Sequence, residues 1–544
     1  MRHLTPLERR VIFGTGVTAI LALLFILISG YFHITYEAPR EGGSFTEGVV
    51  GQPVFINPLL GSGAQADRDL IEIIFPGLST ITETIDISEN GKNYLVKLKK
   101  GARFSDGAPI TAKDLIFTVK TMQNPDANHT ERSRWHNVAV EKINEDEARF
   151  SLGTTKPYFL EILQDLRVAP AHVFESIPVP NLRLSSYNLS PIGYGPYTVK
   201  EVVTEKDGFI KEVRLAVNKA FAERKPNITD FSFRYYTSEM EAIAAFQRRE
   251  IDGYGTYNPQ AEKEITVDQE SFAITMPRSF ALFFNQVKNP VLQNVNVRKA
   301  LLFATNREEI VEKIFQNSAR VSVGPIGANV KGFLKGLEKQ EFSLEQANKL
   351  LDEAGFKKDE KNGRMKVEGK TLTRLQLTIT YPEIGFLKET VELLAKNYQA
   401  IGFEVALRPI ESQKILAEII KPREYEALLY GIEMRKNPDL LPFFHSDNRV
   451  HPGSNLALYS NPQVDTLLTS LKNDTNEKRR EEKLKQVQEN IQKDLPVLFL
   501  FSPDFYYFMN KSTIPSLSFF IQEPRERFSR VADWYQKTAR VFQK

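Results

Sequence analysis

The chain has 544 residues, of which 42% are hydrophobic and 26% charged. That composition is globular, too long for one average domain, and fits two or three packed lobes. Seventy-one basic residues against 68 acidic ones, distributed along the chain, leave a net charge of +3, which gives no argument for a nucleic-acid or strongly charged partner. The absence of cysteine removes disulfides, thiolate metal sites, cysteine nucleophiles and lipid attachment through an N-terminal cysteine.

In chain order, Val11 to Phe32 carries no charged residue and as a helix spans roughly 33 Å, enough for a hydrocarbon core of about 30 Å. Arg2, Arg9 and Arg10 precede it and His33, Glu37 and Arg40 follow, so the positive-inside rule puts the N-terminus in the cytoplasm and the main body outside. The run is longer than a signal-peptide core and lacks a small-x-small cleavage site, which favours a retained anchor over a cleaved signal. His33 to Gly43 lacks periodicity and reads as a tether. Gly48 to Leu60 reads as a strand entering an Asn57-Pro58 turn, and a helix follows from Asp67 to Pro76-Gly77.

Tyr94, Val96 and Leu98 alternate with Lys97 and Lys99 as a half-buried strand, and Ser105-Asp106-Gly107 supplies a turn. Thr111 stands three residues before Asp114, a helix start, after which Leu115, Ile116, Val119 and Met122 recur at helical spacing. Residues 130–152 read as a hairpin anchored by Trp135. Pro191 to Val199 reads as a turn into a strand; its glycines are followed by neither a Lys-Ser/Thr pair nor a helix, so no phosphate loop is present. Further helices are expected at Glu239 to Gln247, in a pair from Val295 with the second opened by Asn306, and from Ser343 to a stop at Gly355; Phe280 to Asn285 reads as a buried strand. Residues 374–410 spell strand, crossover helix, strand, hence a parallel sheet, to which Tyr425 to Gly431 adds a strand. Glu477 to Lys493 is a helix with a solvated charged face, and Pro496 to Phe501 a buried strand.

Chemistry-bearing constellations are scarce. No GxSxG, HExxH or Walker loop occurs, and Asp106 and Asp114 are explained by turn and cap, so the chain reads as no enzyme and no catalytic residue is assigned. His445, Asp447 and His451 lack a spacing that makes their ligand atoms converge and read as a surface loop, with no metal site or cofactor.

In this setting FSDGAPITAKDLIFTVKTM, from Phe104 to Met122, resembles the signature of the extracellular solute-binding proteins of the peptide, nickel and oligosaccharide ABC importers (family 5), which include dipeptide- and oligopeptide-binding proteins. Asn57-Pro58-Leu59-Leu60, Gly195-Pro196-Tyr197, the block Phe283 to Val311, the helix EQANKLLDEAGF, Asn437-Pro438-Asp439 and Asn461 to Asp465 match in the same order. The resemblance implies an α/β, two-lobed periplasmic-binding-protein-like fold with an extra subdomain, preceded here by one transmembrane helix. The implied division is 1–32 cytoplasmic stub and anchor, 33–43 tether, 44–285 lobe one with the extra subdomain at about 76–190, 286–499 lobe two, and 500–544 return to lobe one. Hinges would lie near Asn285 and Phe499 to Phe501.

The family's peptide binders hold the ligand amine with an aspartate in a Trp-containing loop. Here Gly431 to Asp439 has no Trp and offers Met434 or Arg435 at that place, so either Glu433 takes the amine or Arg435 selects an anionic group. The resemblance thus assigns ligand binding to Asn57, Asn285, Glu433, Met434, Arg435, Phe499 and Phe501, with Tyr506 and Tyr507 as further aromatic candidates. The implied function is a membrane-anchored, monomeric, extracytoplasmic receptor that delivers peptides or a similar elongated solute to ABC permease subunits. A surface peptide-binding chaperone or receptor without a transport role is the alternative.

Overall fold

The computed structural model describes residues 5–542 except 62–63, 157, 222, 328–329, 331, 335, 337–339, 359–362, 412–413, 435–437 and 475. Two mixed sheets each organise a lobe. The first orders its seven strands as Glu270–Ile274, Phe505–Met509, Gly253–Thr256, Ser44–Val50, Asp230–Tyr236, Ile210–Val217 and Tyr197–Thr204. The second orders six: Ala319–Val321, Val497–Pro503, Arg278–Phe284, Ala427–Glu433, Gln376–Pro382 and Glu404–Ile410. A four-stranded antiparallel sheet, Thr82–Ile87, Asn93–Leu98, Glu147–Leu152 and Val138–Lys142, forms the extra subdomain beside the first lobe.

The strand-helix-strand unit expected at residues 374–410 is present. Gln376–Pro382 and Glu404–Ile410 pair in parallel, with Leu377 opposite Val405 and Ile379 opposite Leu407. Between them Gly385–Ala400 buries Leu387, Val391, Leu394 and Tyr398, the helical face that the sequence spacing indicates.

The family signature is structural. The Thr111 N–H donates to the Asp114 carboxylate at 2.8 Å, closing the start of the helix Ala112–Gln123, and the other Asp114 oxygen accepts from the Ala171 N–H at 2.9 Å. Asp106 accepts from the His172 ring Nε2 at 2.8 Å. The two carboxylates therefore pin one end of the subdomain to the helix Ala171–Phe174.

Two placements differ from expectation. The tether is no loose segment: Thr35–Arg40 follows the helix Pro6–Ile34 directly and pairs antiparallel with Lys537–Phe542, from Thr35 opposite Phe542 to Arg40 opposite Lys537. Its alternation is invisible in the sequence because a two-stranded ribbon has no buried face to impose one. The crossings between lobes also shift. Phe280 to Phe284 hydrogen-bond to strands of the second sheet, so the chain leaves the first sheet between Ile274 and Arg278 rather than near Asn285. It returns at Asp504, between Val497–Pro503 and Phe505–Met509, rather than at Phe499 to Phe501. Arg320 of the second lobe fastens both crossings, donating to Thr275 Oγ1 at 2.6 Å and lying 3.2 Å from the Asp504 carboxylate.

Candidate functional site

A cleft of ≈ 1470 Å³ lies between the lobes. The first lobe contributes Glu72, Tyr158, Asp165, Arg167 and the segment Gln522 to Glu526; the second contributes Arg278, Tyr430 to Met434, Pro438 to Leu440, Lys472 and Arg480. The second-lobe wall follows from topology, since Arg278 opens a strand just after the first crossing and Glu433 closes the neighbouring one directly opposite.

Charge is dense and mostly compensated. Arg525, 8% exposed, sits 3.3 Å from Glu72, 3.2 Å from Asp165 and 2.9 Å from Glu523. Arg167 shares the same acids, at 2.8 Å from Glu72 and 2.7 Å from Asp165. Burial alone would raise the Glu523 carboxyl, but Arg525 and Arg68 outweigh it and hold the group below its ordinary value. Glu526 goes the other way: burial pushes it up to about 7, the Gln522 N–H it accepts offsets part of this, and Asp165 and Glu72 add to the rise. That wall therefore gains negative charge as the pH passes neutrality.

Along the cleft lining the lobes touch. Tyr158 Oη donates to the Pro438 carbonyl at 3.3 Å, and the Arg480 guanidinium lies 4.8 Å over the Tyr158 ring and donates to its hydroxyl.

The residues proposed from sequence are not all brought together. Glu433 and Met434 line the cleft. Glu433 pairs with Arg278, whose Nε is 2.9 Å away and whose guanidinium covers the Tyr257 ring of the first lobe at 4.9 Å. Met434 is buried, its N–H donating to the Pro277 carbonyl at 2.7 Å. Arg435 lies outside the described residues. Asn57 is away from the cleft lining, its amide donating to Asn188 and accepting from the Leu59 N–H, each at 2.9 Å. Asn285 likewise spends its side chain on backbone, donating to the Arg423 carbonyl and accepting from the Val287 and Lys288 N–H groups.

Phe499 and Phe501 are core residues. The strand Val497–Pro503 is interior to its sheet and is buried on both faces, every residue but Ser502 being buried. A bulge opposite Phe280 and Ala281 turns Phe501 to the face carrying Leu498 and Leu500, while Phe499 packs on the other side with Phe283. Tyr507 is fully buried with its hydroxyl on Glu47 at 2.7 Å, and Tyr506 is 5% exposed in a satellite cluster.

Sequence reading singled out Glu433 but missed its partner Arg278, and it missed Arg167 and Arg525 with the acids around them, Glu72, Asp165 and Glu523. The one local signal was the charged run Glu523-Pro-Arg-Glu-Arg527, unusual in a segment flanked by Ile521 and Phe528.

Residues 78–449 match the family described as bacterial extracellular solute-binding proteins, family 5 Middle. The oligopeptide-binding protein AppA of Bacillus subtilis is 23% identical, the alignment covering 91% of this chain and 92% of AppA. Its structure in complex with a nonapeptide superposes with a TM-score of 0.75, covering 92% of this chain and all of the other. The ABC transporter substrate binding protein CtaP of Listeria monocytogenes superposes at 0.78 with 25% identity, covering 91% of this chain and 100% of CtaP. NikZ of Campylobacter jejuni in complex with Ni(L-His) does so at 0.74 with 22% identity, covering 90% and 99%. The chain thus has the two-lobed α/β architecture of periplasmic binding proteins, and its matched segment runs through both sheets and the extra subdomain. It belongs to the bacterial extracellular solute-binding proteins of family 5, which are non-enzymatic solute receptors.

Proposed function

We propose that this chain is the membrane-anchored, extracytoplasmic receptor of an ABC importer and that it captures peptides or similarly elongated solutes between its lobes. The cleft carries the reading: at ≈ 1470 Å³ it exceeds the roughly 300–1,000 Å³ of small-molecule sites. NikZ, with its compact nickel complex, shows that the same fold also serves a small ligand; the cleft volume and the nonapeptide bound by AppA favour an extended one. Glu433 and Met434 are the proposed ligand contacts from the sequence-derived set, joined by Tyr430 and Arg278. The helix Pro6–Ile34, long and apolar enough to cross a membrane, is the proposed anchor, with its arginine-rich start in the cytoplasm and the monomeric body presented to a permease.

The test is unfolding of the full chain in nanodiscs across a peptide library. A true ligand at a hundred times its Kd should add about 2.7 kcal/mol of stability. Failure of every peptide to raise the midpoint, with a nickel–histidine complex succeeding, would reassign the solute.

Arg278→Ala tests the charge of the wall. Glu433 then faces the cleft without its cation, so a lysine-rich peptide is expected to bind about fivefold more tightly and an acidic one about fivefold more weakly, roughly 1 kcal/mol each way for a half-exposed pair. Titration calorimetry with the two peptides reads this directly, and equal affinities in both proteins would place Arg278 outside ligand contact.

A further inference from the structure

We infer that the C-terminal strand of this chain docks on the membrane surface, so that anchor helix and C-terminus form one collar holding the receptor body at a fixed height above the lipid. The inference rests on the reading of Pro6–Ile34 as a membrane span.

Helix and ribbon are continuous. Thr35 follows Ile34 with no intervening linker, and its strand pairs over all six residues with Lys537–Phe542. Arg540 locks this junction. Its Nε donates to Thr35 Oγ1 at 2.9 Å and its Nη2 to the carbonyls of Thr35 at 3.0 Å and Phe32 at 3.2 Å, while the guanidinium lies 4.2 Å over the Phe32 ring. The Phe32 carbonyl is among those a helix leaves without an intrahelical partner, and a cation there also complements the helix dipole. Tyr31 completes the contact, edge-on to Phe542 at 6.4 Å.

The ribbon is otherwise uncovered. Thr35 is its single buried residue, and a two-stranded ribbon on its own is marginal in water. Its apolar end is the end nearest the helix, with Tyr36 51% and Phe542 67% exposed, whereas Arg40 and Lys537 pair at the far end. The apolar stretch Arg10–Ile34 is 25 residues, which at 1.5 Å per residue is about 37 Å, longer than a hydrocarbon core of about 30 Å. Counted from Arg10 at the cytoplasmic face, about 20 residues fill that core, so the last turn and the first ribbon pairs fall at the outer headgroup level, where tyrosine rings are favoured. The surface that covers this apolar end is the lipid interface, because the patch is continuous with the membrane helix itself. The remaining ribbon, about 3.3 Å per residue, acts as a short stiff post to the first lobe. It joins that lobe where Gln536 pairs with Ser44 and Gly42 donates to the Asn227 carbonyl at 2.8 Å. The cleft is held within reach of a membrane partner instead of ranging on a flexible leash.

The test places Phe542→Trp in the full chain, reconstituted in nanodiscs containing phosphatidylcholine brominated near the top of its acyl chains. The native tryptophans, Trp135 at 1% and Trp534 at 0% exposure, are inside the body and give a constant background. A ring docked about 5–10 Å into the interface should lose roughly half of the added emission to bromine contact. Leu24→Trp, within the span, is the companion variant. Quenching of both supports the collar. Quenching at 24 without quenching at 542 overturns the docking while leaving the anchor intact; quenching at neither removes the membrane span and the docking with it.

Discussion

Replacing Arg527 with Met is expected to cost about 3–5 kcal/mol of folding stability. Arg527 is 2% exposed and lies 2.8 Å from Glu47 and 2.7 Å from Asp69, both of which are 0% exposed. The triad ties three elements of the first lobe: the central strand Ser44–Val50, the helix Gln65–Ile74 and the C-terminal segment after Pro524. Without the guanidinium, two carboxylates remain buried without a cation. Urea unfolding of the full chain in detergent measures the loss; a cost under about 1 kcal/mol would mean that water reaches the triad.

The same triad predicts a contrasting result for Glu47→Gln. Two carboxylates share one cation in a dry site, and burial pushes the Glu47 carboxyl from its ordinary 4.5 up to about 7, against the lowering pull of Arg527 and of the Tyr507 hydroxyl. Because the folded-state value is raised, the folded chain holds a proton that the unfolded chain releases at lower pH. Stability from this group is therefore greatest below pH 4.5 and is lost as pH rises towards about 7. Glutamine mimics the protonated form, so Glu47→Gln should flatten the stability–pH curve across that window and cost far less than the loss of Arg527. An unchanged slope in the variant would show that Glu47 is ionised throughout.

The second large effect concerns Phe501→Ala, expected to lower stability by about 3–5 kcal/mol while changing the Kd for peptide by no more than about twofold in the folded protein. Phe501 is 0% exposed and packs against Phe315 at 4.6 Å and Phe280 at 5.4 Å between ring centres. Phe280 in turn reaches the cleft, so a small indirect effect on affinity is consistent with this packing. Paired unfolding and calorimetry separate the outcomes. Intact stability with a Kd weakened more than about tenfold, or about 1.4 kcal/mol, would restore Phe501 to the ligand site.

Local rules made much of the architecture legible. The parallel unit at residues 374–410 could be read because strand and helix periods differ and each fits one buried face. The opening signature could be read because Thr111 and Asp114 satisfy the helix start between themselves. The cleft chemistry was far less legible. Arg525 meets Glu72, 453 residues away in the chain, and Arg278 meets Glu433, 155 residues away; no local pattern encodes such pairs. Phe499 and Phe501 illustrate the opposite failure. Spacing two residues apart puts both on one face of a regular strand, and only the bulge against Phe280 and Ala281 sends them to different cores.

By itself the sequence determined the membrane-length helix, the α/β class, the order of elements and the family, because each depends on residues near one another in the chain or on motifs kept in order. Tertiary structure alone decided where the chain crosses between lobes, which charges face the cleft, and that the segment after the helix is a strand closed by the C-terminus. Those features arise from contacts between residues hundreds of positions apart, where burial and pairing are set by the assembled sheets.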